Sequence, residues 1–265
     1  MFELKLTRPP DCYDEYNQPC YPIVQGQGLL ENQDNSLFED ALAAGYVGSI
    51  ANEMHQWCAT QVSLVATERK LDLLEIGGGT GWMFEWVKES TSTYVNLDPG
   101  HITLDENQLA LLKDPRYMGL KCSAENIPLP DESIDIIISN ASLDHVPNYT
   151  QALAEIKRLL REDGLFVLTL NNRRSWWKWL LSRTDYLKKR EEAIAKEHYF
   201  QWSYSDCKSY LSNFFTVKQI HTTTFIPYIP KLWHYALPLS NLIGRSFFSM
   251  YGSNIIAVCQ KKTQK

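Results

Sequence analysis

The stretch LDLLEIGGGTG, residues 71–81, joins a short apolar run directly to a turn that contains four glycines. The run LDLLEI predicts a buried strand, because it is brief, apolar and ended by glycine. Glycine allows positive φ in the turn and lets the backbone approach a ligand, since it has no Cβ. A helix behind the turn would offer free N–H groups to a polar ligand. A strand, a tight turn and a helix are therefore predicted, and the glycines serve either a ligand or the turn alone.

Strand and helix patterns alternate on both sides of this stretch. Further strands are predicted at 93–98, 117–122, 134–139, 165–170, 217–225 and 254–260. Helices are predicted over most of 36–66, over 80–89, from Thr103 and over 149–161. The first is expected to break near Gly45 and Gly48, and the second has Trp82, Phe84, Trp86 and Val87 as its apolar positions. Asp163-Gly164 predicts a turn. Near-continuous apolar strands that alternate with helices indicate an α/β fold, a parallel sheet covered on both faces. In such sheets ligands bind beyond the carboxyl ends of the strands, where the winding reverses.

Length and composition limit the class of protein. The chain has 265 residues, 44% of them apolar, and a net charge of −5. No basic excess favours nucleic acid as a partner. The six cysteines form no C-x-x-C pair and read as reduced thiols, and Glu3 and Lys5 stand where a signal peptide needs apolar residues. With no apolar run of membrane-spanning length, a cytoplasmic protein without a metal site is predicted.

The chain divides into an arm and a main domain. Residues 1–66 are expected to form an irregular N-terminal arm followed by a helical lid, and residues 67–265 the α/β domain. Two segments, 172–202 and 225–251, do not fit the alternation and are expected to be insertions that cover the ligand side.

The turn does not suit every nucleotide-like ligand. A dinucleotide-binding turn reads G-x-G-x-x-G, and Trp82 stands where its third glycine belongs. No Gly-Lys-Ser/Thr follows, which excludes a P-loop. Asp98 ends the next strand about 20 residues further on, where this kind of fold places a carboxylate for ribose hydroxyls. The alternative for Asp98 is an Asp-Pro-Gly turn, but the combination with the glycines favours an adenosine-containing ligand.

The order of motifs over residues 70–170 resembles the class I S-adenosylmethionine-dependent methyltransferases, in particular the group that acts on small molecules. The matching segments are Glu75-Ile-Gly77-Gly-Gly79-Thr-Gly81, Asp98, Ala124-Glu125-Asn126-Ile127-Pro128, Asp135-Ile-Ile-Ile-Ser139 and Leu143-Asp144-His145-Val146. The resemblance implies a doubly wound, seven-stranded, mostly parallel Rossmann-like sheet, with S-adenosyl-L-methionine as cofactor and S-adenosyl-L-homocysteine as product.

The same resemblance implies which residues would hold the cofactor. They are Glu75, Gly77, Gly78, Gly79, Thr80, Gly81, Asp98, Pro99, Ser123, Ala124 and Asn140. Gly77–Gly81 would line its methionine and ribose parts, Asp98 would accept from the ribose hydroxyls, and Asn140 would lie near the methionine amine. Many relatives carry an acidic residue at the position of Ser123, which here offers a weaker acceptor to the adenine edge.

Catalysis asks mainly for alignment, because the cofactor's sulfonium already activates the methyl group. A base is needed only for an acceptor that must lose a proton, such as an alcohol. By resemblance His145 and His198 are the candidate catalytic residues. Structural or cofactor-side roles are the alternative for both.

The aromatic run RRSWWKWLLSR, residues 173–183, falls in the first insertion. Its tryptophans could pack as core, hold an apolar, aromatic or sugar-like acceptor, or lie on a membrane surface. Trp176, Trp177 and Trp179 do not share one helical stripe, which disfavours the membrane. SNASLD follows the fourth strand in place of a base-flipping motif, so nucleic acid is again not expected. A small-molecule O- or N-methyltransferase is the favoured prediction; a non-catalytic binding or scaffold protein, or a methyltransferase of lipid- or sugar-linked acceptors at a membrane, is the alternative.

Overall fold

The computed structural model describes residues 5–22, 46–100, 106–176, 179, 199–225, 238–239, 241–242, 244, 246 and 248–262. Nine strands are described: β1 Cys12–Tyr13, β2 Pro19–Cys20, β3 Leu71–Ile76, β4 Thr91–Leu97, β5 Tyr117–Leu120, β6 Ile134–Asn140, β7 Leu160–Asn171, β8 Phe215–Thr223 and β9 Asn254–Lys261. The described helices include α1 Tyr46–Val65, α2 Met83–Val87, α3 Glu106–Leu111, α4 Tyr149–Leu159 and α5 Tyr204–Phe214.

Seven strands form one sheet in the order β5-β4-β3-β6-β7-β9-β8. All neighbours pair in parallel except β9, which runs antiparallel to both β7 and β8. The predicted seven-stranded, mostly parallel, doubly wound sheet is confirmed. The winding reverses between β3 and β6, so the carboxyl ends of these two strands mark the expected ligand position.

Helices cover the sheet on both faces, and successive residues of each strand point to opposite faces. Leu74 and Ile76 of β3 belong to a cluster shared with α4 and α5. Leu71 and Leu73 belong to a second cluster, which includes residues of α1 and α2. The apolar strand that precedes the glycine turn is therefore held from both sides.

Two local predictions about the helices are wrong. The chain is helical through Gly48, since α1 begins at Tyr46 and continues to Val65; residues 36–45 lie outside the described part. The predicted helix 80–89 is the five-residue α2 followed by a 3₁₀ turn, and it buries Met83, Phe84 and Val87. Trp82 and Trp86 are 47% and 40% exposed. A helix this short presents only one narrow face to the sheet, so its two tryptophans remain at the surface.

The predicted turn at Asp163-Gly164 lies inside the strand β7. Pairing with β6 jumps from Leu160 to Leu165, so residues 161–164 form an irregularity in that strand. The remaining strand predictions agree with the structure to within two residues at each end, apart from the earlier start of β7.

The described N-terminal residues form a small hairpin on the edge of the sheet. β1 and β2 pair antiparallel, and the backbone N–H of Tyr21 donates to Lys121 O (2.8 Å) while Lys121 N–H donates to Pro19 O (3.0 Å). Gln18 packs so closely on Gly119 of β5 that a Cβ at Gly119 would overlap its amide. The predicted irregular arm is thus partly extended, and it lies next to the strand that follows Asp98.

Asp135, one residue of the motif quoted above, lies at the amino-terminal end of β6, remote from the glycine turn. Its buried carboxylate accepts from Arg69 (2.9 Å) and pairs with Arg161 (2.7 Å). Burial alone would raise its pKa, but the bonds from the two guanidiniums lower the pKa below its ordinary value. Asp135 therefore serves the fold.

Within the residues described, no helix has the length and apolar character needed to cross a membrane. In the same ranges, no group of three or more His, Cys, Asp or Glu side chains is arranged to hold a metal ion.

Candidate cofactor site

The glycine turn sits where the sheet reverses its winding. It follows β3, and the segment that follows β6 packs directly against it: a Cβ on Gly77 would overlap the side chain of Ser142. Ser142 also donates to Ile76 O (2.5 Å) and lies 2.8 Å from the hydroxyl of Ser139. The two segments at the reversal are thus one connected structure.

Three glycines of the turn have left-handed backbone. Gly77, Gly79 and Gly81 have φ of 68°, 53° and 78°. L-residues with a Cβ rarely adopt these values. The N–H of Gly77 donates to Leu97 O at the end of β4 (2.7 Å), which ties the turn to the strand that precedes Asp98. Backbone conformation and close packing together explain the glycines. Thr80, between them, is half-buried.

Asp98 faces this turn. Its Oδ2 accepts from the N–H of Gly79 (2.8 Å), and its Oδ1 accepts from the N–H of Gly100 (2.8 Å). Burial raises the pKa of the Asp98 carboxyl above its ordinary value, and the two backbone donors act in the opposite direction. The carboxylate has two oxygens with about four lone-pair sites, so acceptor capacity remains beside the turn. Pro99, next in the chain, is half-buried.

The side chain of Glu75 packs against the glycine turn. Its side chain is buried, accepts a hydrogen bond from the hydroxyl of Tyr94, and lies where a Cβ on Gly78 would have to go. Burial raises the pKa of Glu75 to about 7, the bond from Tyr94 lowers it, and the charge of Asp98 raises it. This carboxyl therefore packs directly against the glycine turn and helps to hold its shape.

We expect Glu75 to lower stability as the pH rises from about 4.5 to about 7. Below 4.5, its ordinary pKa, the carboxyl is protonated in both folded and unfolded chains; between the two values only the folded chain keeps the proton. The stabilisation present at low pH is therefore lost by about pH 7, and a shift of this size corresponds to roughly 3 kcal/mol. Urea unfolding at several pH values should show this loss in the wild type and not in Glu75→Gln.

The control for this experiment is Glu132→Gln, whose side chain is 63% exposed and pairs with Lys261. It should retain the wild-type pH dependence. A Glu75→Gln protein with the same slope as the wild type between pH 5 and 7 would contradict the assignment.

The loop after β5 is held in place by acidic side chains. Ser123 and Ala124 are buried. Glu125 accepts from the N–H of Asn148 (3.2 Å), and Glu155 of α4 accepts from the N–H of Ile127 (2.9 Å). This loop is fixed to α4 and the segment before it, as a wall for an adenine would need to be.

Asn140 is the last residue of β6, and His145 lies in the segment that follows. The amide oxygen of Asn140 accepts from the Thr169 hydroxyl (2.5 Å), which fixes that side chain. His145 is exposed and lies in the 3₁₀ turn Leu143–His145 after β6, at the same edge of the sheet as Asp98. Asp144 beside it is buried, and its backbone oxygen accepts from Tyr199 N–H (3.0 Å). The catalytic role of His145 stays a prediction, and His198 lies outside the described residues.

Sequence reasoning missed a pocket at the Asp98 end. Its lining residues are Tyr16, Gln18, Gly79, Asn96, Asp98, Gly100, Tyr117 and Lys121. Tyr16 and Gln18 come from the N-terminal hairpin, and Lys121 pairs with Asp14 of the same hairpin (2.9 Å). No periodicity or motif marks Tyr16, Gln18 or Lys121. The one weak indication in the sequence was the presence of Asn17 and Pro19, residue types that favour a turn.

The aromatic insertion is only partly described. Trp176 donates from Nε1 to Phe225 O (2.6 Å), and Trp179 is 60% exposed. Trp202 is buried and packs edge-on against Tyr149 (5.1 Å) and Tyr210 (5.4 Å). Trp202 therefore belongs to the core, while Trp177 and Trp233 lie outside the described residues.

The strand order, the glycine turn at the reversal and the carboxylate after β4 agree with the class I S-adenosylmethionine-dependent methyltransferases that the sequence resembles. Residues 74–168 match the family described as "Methyltransferase domain", and this stretch of the chain is such a domain.

Curated relatives agree with this class. An uncharacterized methyltransferase of Mycobacterium ulcerans is 30% identical over 144 residues, which cover 52% of this chain and 52% of that protein. Part of the non-reducing polyketide synthase adrD of Penicillium rubens is 26% identical over 218 residues, or 74% of this chain and 8% of that protein. The chain spans about half of the mycobacterial relative and a small part of the synthase.

Solved structures share the fold. The methyltransferase from a complex with the Trm112 methyltransferase activator of Haloferax volcanii has a TM-score of 0.60 at 14% identity, covering 85% of this chain and 98% of that one. A Galdieria sulphuraria protein described as a sarcosine dimethylglycine methyltransferase has a TM-score of 0.55 at 16% identity, covering 82% and 88%. At these identities the likeness concerns the fold.

Proposed function

We propose that this chain transfers a methyl group from S-adenosyl-L-methionine to a small-molecule acceptor, at oxygen or nitrogen. The observation that carries the proposal is the bond between Gly79 and Asp98, which joins the glycine turn to a carboxylate at the reversal of the sheet. An adenosine needs this pair: backbone without Cβ on one side and a carboxylate for its ribose hydroxyls on the other.

The residues present fit the cofactor. Asp98 retains acceptor capacity beside the left-handed glycines, and Ser123 and Ala124 stand on the anchored loop after the next strand. The Oδ1 atom of Asn96, one residue of the pocket, is buried and has no hydrogen-bond partner among the described residues. Asp98 would hold the ribose, and the backbone of Gly77–Gly81 would face the methionine part.

The bound cofactor supplies an electrophilic methyl group. The chain's own contribution is to fix the geometry and to exclude water. Ser142 and Glu75 hold the glycine turn from two sides, so the turn would keep its shape when the cofactor arrives. Asn140, fixed by Thr169, would stand near the methionine amine. His145, exposed beside the site, can take a proton from an acceptor that must lose one.

Two alternative functions are consistent with the same site. A non-catalytic binding protein would use the same turn and carboxylate without an acceptor. A lipid- or sugar-linked acceptor at a membrane surface would suit the exposed Trp179, whose segment includes Arg173 and Arg174. The complete glycine turn argues against a degenerate scaffold, and the negative net charge disfavours an anionic membrane surface.

The test combines binding with turnover. Calorimetric titration should show binding of S-adenosyl-L-homocysteine, and incubation with methyl-labelled cofactor should transfer label to members of a panel of phenols, amines and carbon acids. His145→Gln should slow transfer to phenols and leave cofactor affinity unchanged if it is the base. Binding without transfer to any acceptor supports the non-catalytic alternative, transfer only in the presence of anionic vesicles supports the membrane alternative, and absence of binding would end the proposal.

A further inference from the structure

Two cysteines face each other across the N-terminal hairpin. Cys12 of β1 and Cys20 of β2 are direct partners in the antiparallel pairing. Directly opposed residues of an antiparallel pair place their side chains on the same face, with Cα atoms about 4.5–5.5 Å apart. A disulfide needs a Cα separation of about 4.4–6.8 Å. This pairing therefore places the two residues at a separation that suits a disulfide.

These two thiols are also the accessible ones. Cys12 is exposed and Cys20 half-buried, whereas Cys58, Cys122, Cys207 and Cys259 are buried. Burial raises the pKa of Cys20, and the adjacent thiol of Cys12 raises it further, which reflects how close the two sulfurs lie. An oxidant in solution would meet Cys12 first, since reactivity follows exposure and thiolate content.

The segment between the two cysteines forms a wall of the pocket at Asp98. Tyr16 and Gln18 line that pocket. The carboxylate of Asp14 holds the turn by accepting from the N–H groups of Tyr16 (2.9 Å) and Gln18 (2.8 Å), and it pairs with Lys121 of the main domain. A bond between residues 12 and 20 would close the loop that carries both lining side chains.

We propose that Cys12 and Cys20 form a reversible disulfide that fixes this wall of the cofactor pocket in its docked position. The inference that this affects cofactor binding rests on the function proposed above. Hydrogen peroxide is the oxidant: the Cys12 thiolate attacks one peroxide oxygen and becomes a sulfenic acid, with hydroxide leaving. The Cys20 sulfur then attacks the Cys12 sulfur and displaces water, so two electrons pass from the thiols to the peroxide. A dithiol reverses the bond by exchange.

If the disulfide fixes this wall before the ligand arrives, the wall loses less conformational entropy when the ligand binds. We therefore expect the oxidised protein to bind S-adenosyl-L-homocysteine several-fold more tightly than the reduced protein, mainly through slower release. Amides of residues 14–18 should also exchange hydrogen more slowly after oxidation, with or without ligand.

The experiment treats the full chain with hydrogen peroxide and then with dithiothreitol. Peptide mapping without reduction should show one cross-link, between Cys12 and Cys20, with a mass loss of two hydrogens that the dithiol restores. Cys12→Ser and Cys20→Ser should abolish the cross-link and the changes in affinity and exchange. Cys259→Ser, which changes a buried thiol of β9, is the matched control and should behave as the wild type.

Three results would decide against the inference. The first is the absence of a cross-link, the second a cross-link that leaves exchange at 14–18 unchanged, and the third unchanged affinity in a protein that does bind the ligand. A reduced wild type that does not bind S-adenosyl-L-homocysteine would instead count against the proposed function, because cross-linking and exchange are read without ligand.

Discussion

Replacing Asp98 by alanine should weaken S-adenosyl-L-homocysteine binding by at least 100-fold. The carboxylate would accept from both ribose hydroxyls, and each charge-assisted bond contributes about 1.5–3 kcal/mol. The lower value for two bonds, about 3 kcal/mol, already corresponds to more than a 100-fold change. The substitution also removes the acceptor of the Gly79 and Gly100 N–H groups, so the bond from Gly77 N–H to Leu97 O remains but the tie through Gly79 is lost. Calorimetric titration measures the affinity directly.

The matched control is Asp131→Ala, which removes a carboxylate 73% exposed on the surface. It should bind as the wild type does. Asp98→Asn separates charge from position, since the amide oxygen can still accept, and we expect an intermediate loss. Wild-type affinity in Asp98→Ala would overturn the ribose assignment and, with it, the observation on which the proposed function rests.

Gly77→Ala should both destabilise the protein and abolish measurable cofactor binding. Its φ of 68° strains any L-residue, and the new Cβ would overlap Ser142. Strain of about 1–2 kcal/mol and overpacking of about 1–3 kcal/mol should together lower the melting point by about 4–20 °C in a domain of this size. Thermal unfolding followed by circular dichroism measures the first effect and calorimetric titration the second.

The two causes separate in a double variant. Gly77→Ala with Ser142→Gly removes the overlap but not the strained φ, so part of the lost stability should return while binding stays weak. Ser142→Gly alone supplies the reference, because it also deletes the hydrogen bond to Ile76 O. A single Gly77→Ala variant that melts and binds as the wild type would show that the turn tolerates a Cβ.

The central strands could be predicted from sequence because burial on both faces leaves a continuous apolar run. β3 and β6 show such runs, and their predicted ends agree with the structure to within one residue. α2 was harder because it has five residues, too few for periodicity to decide which tryptophans face the sheet. Trp86 instead stacks near His55 of α1, at 6.5 Å between ring centres, a contact set by tertiary packing.

Some residues of the candidate site could be predicted from the sequence, and others could not. The glycines and Asp98 belong to a local sequence pattern, so they could be predicted, and the structure brings them into direct contact. Tyr16, Gln18 and Lys121 reach the pocket through a hairpin that comes from far away in the sequence. Nothing local specifies such a contact. Asp135 shows the converse, since it lies within the motif yet stabilises the far end of the sheet.

The hairpin also determines where the sheet stops. An edge strand such as β5 offers a row of N–H and C=O groups to any other extended chain, and such rows seed aggregation. Here Pro19 and Tyr21 form backbone hydrogen bonds with Lys121, directly after β5. Pro19 has no N–H with which it could pair a further strand. At the opposite edge, β8 breaks its register between Val217 and Gln219 and exposes Lys218 between them. Both borders of the sheet thus carry features that discourage pairing with a further strand.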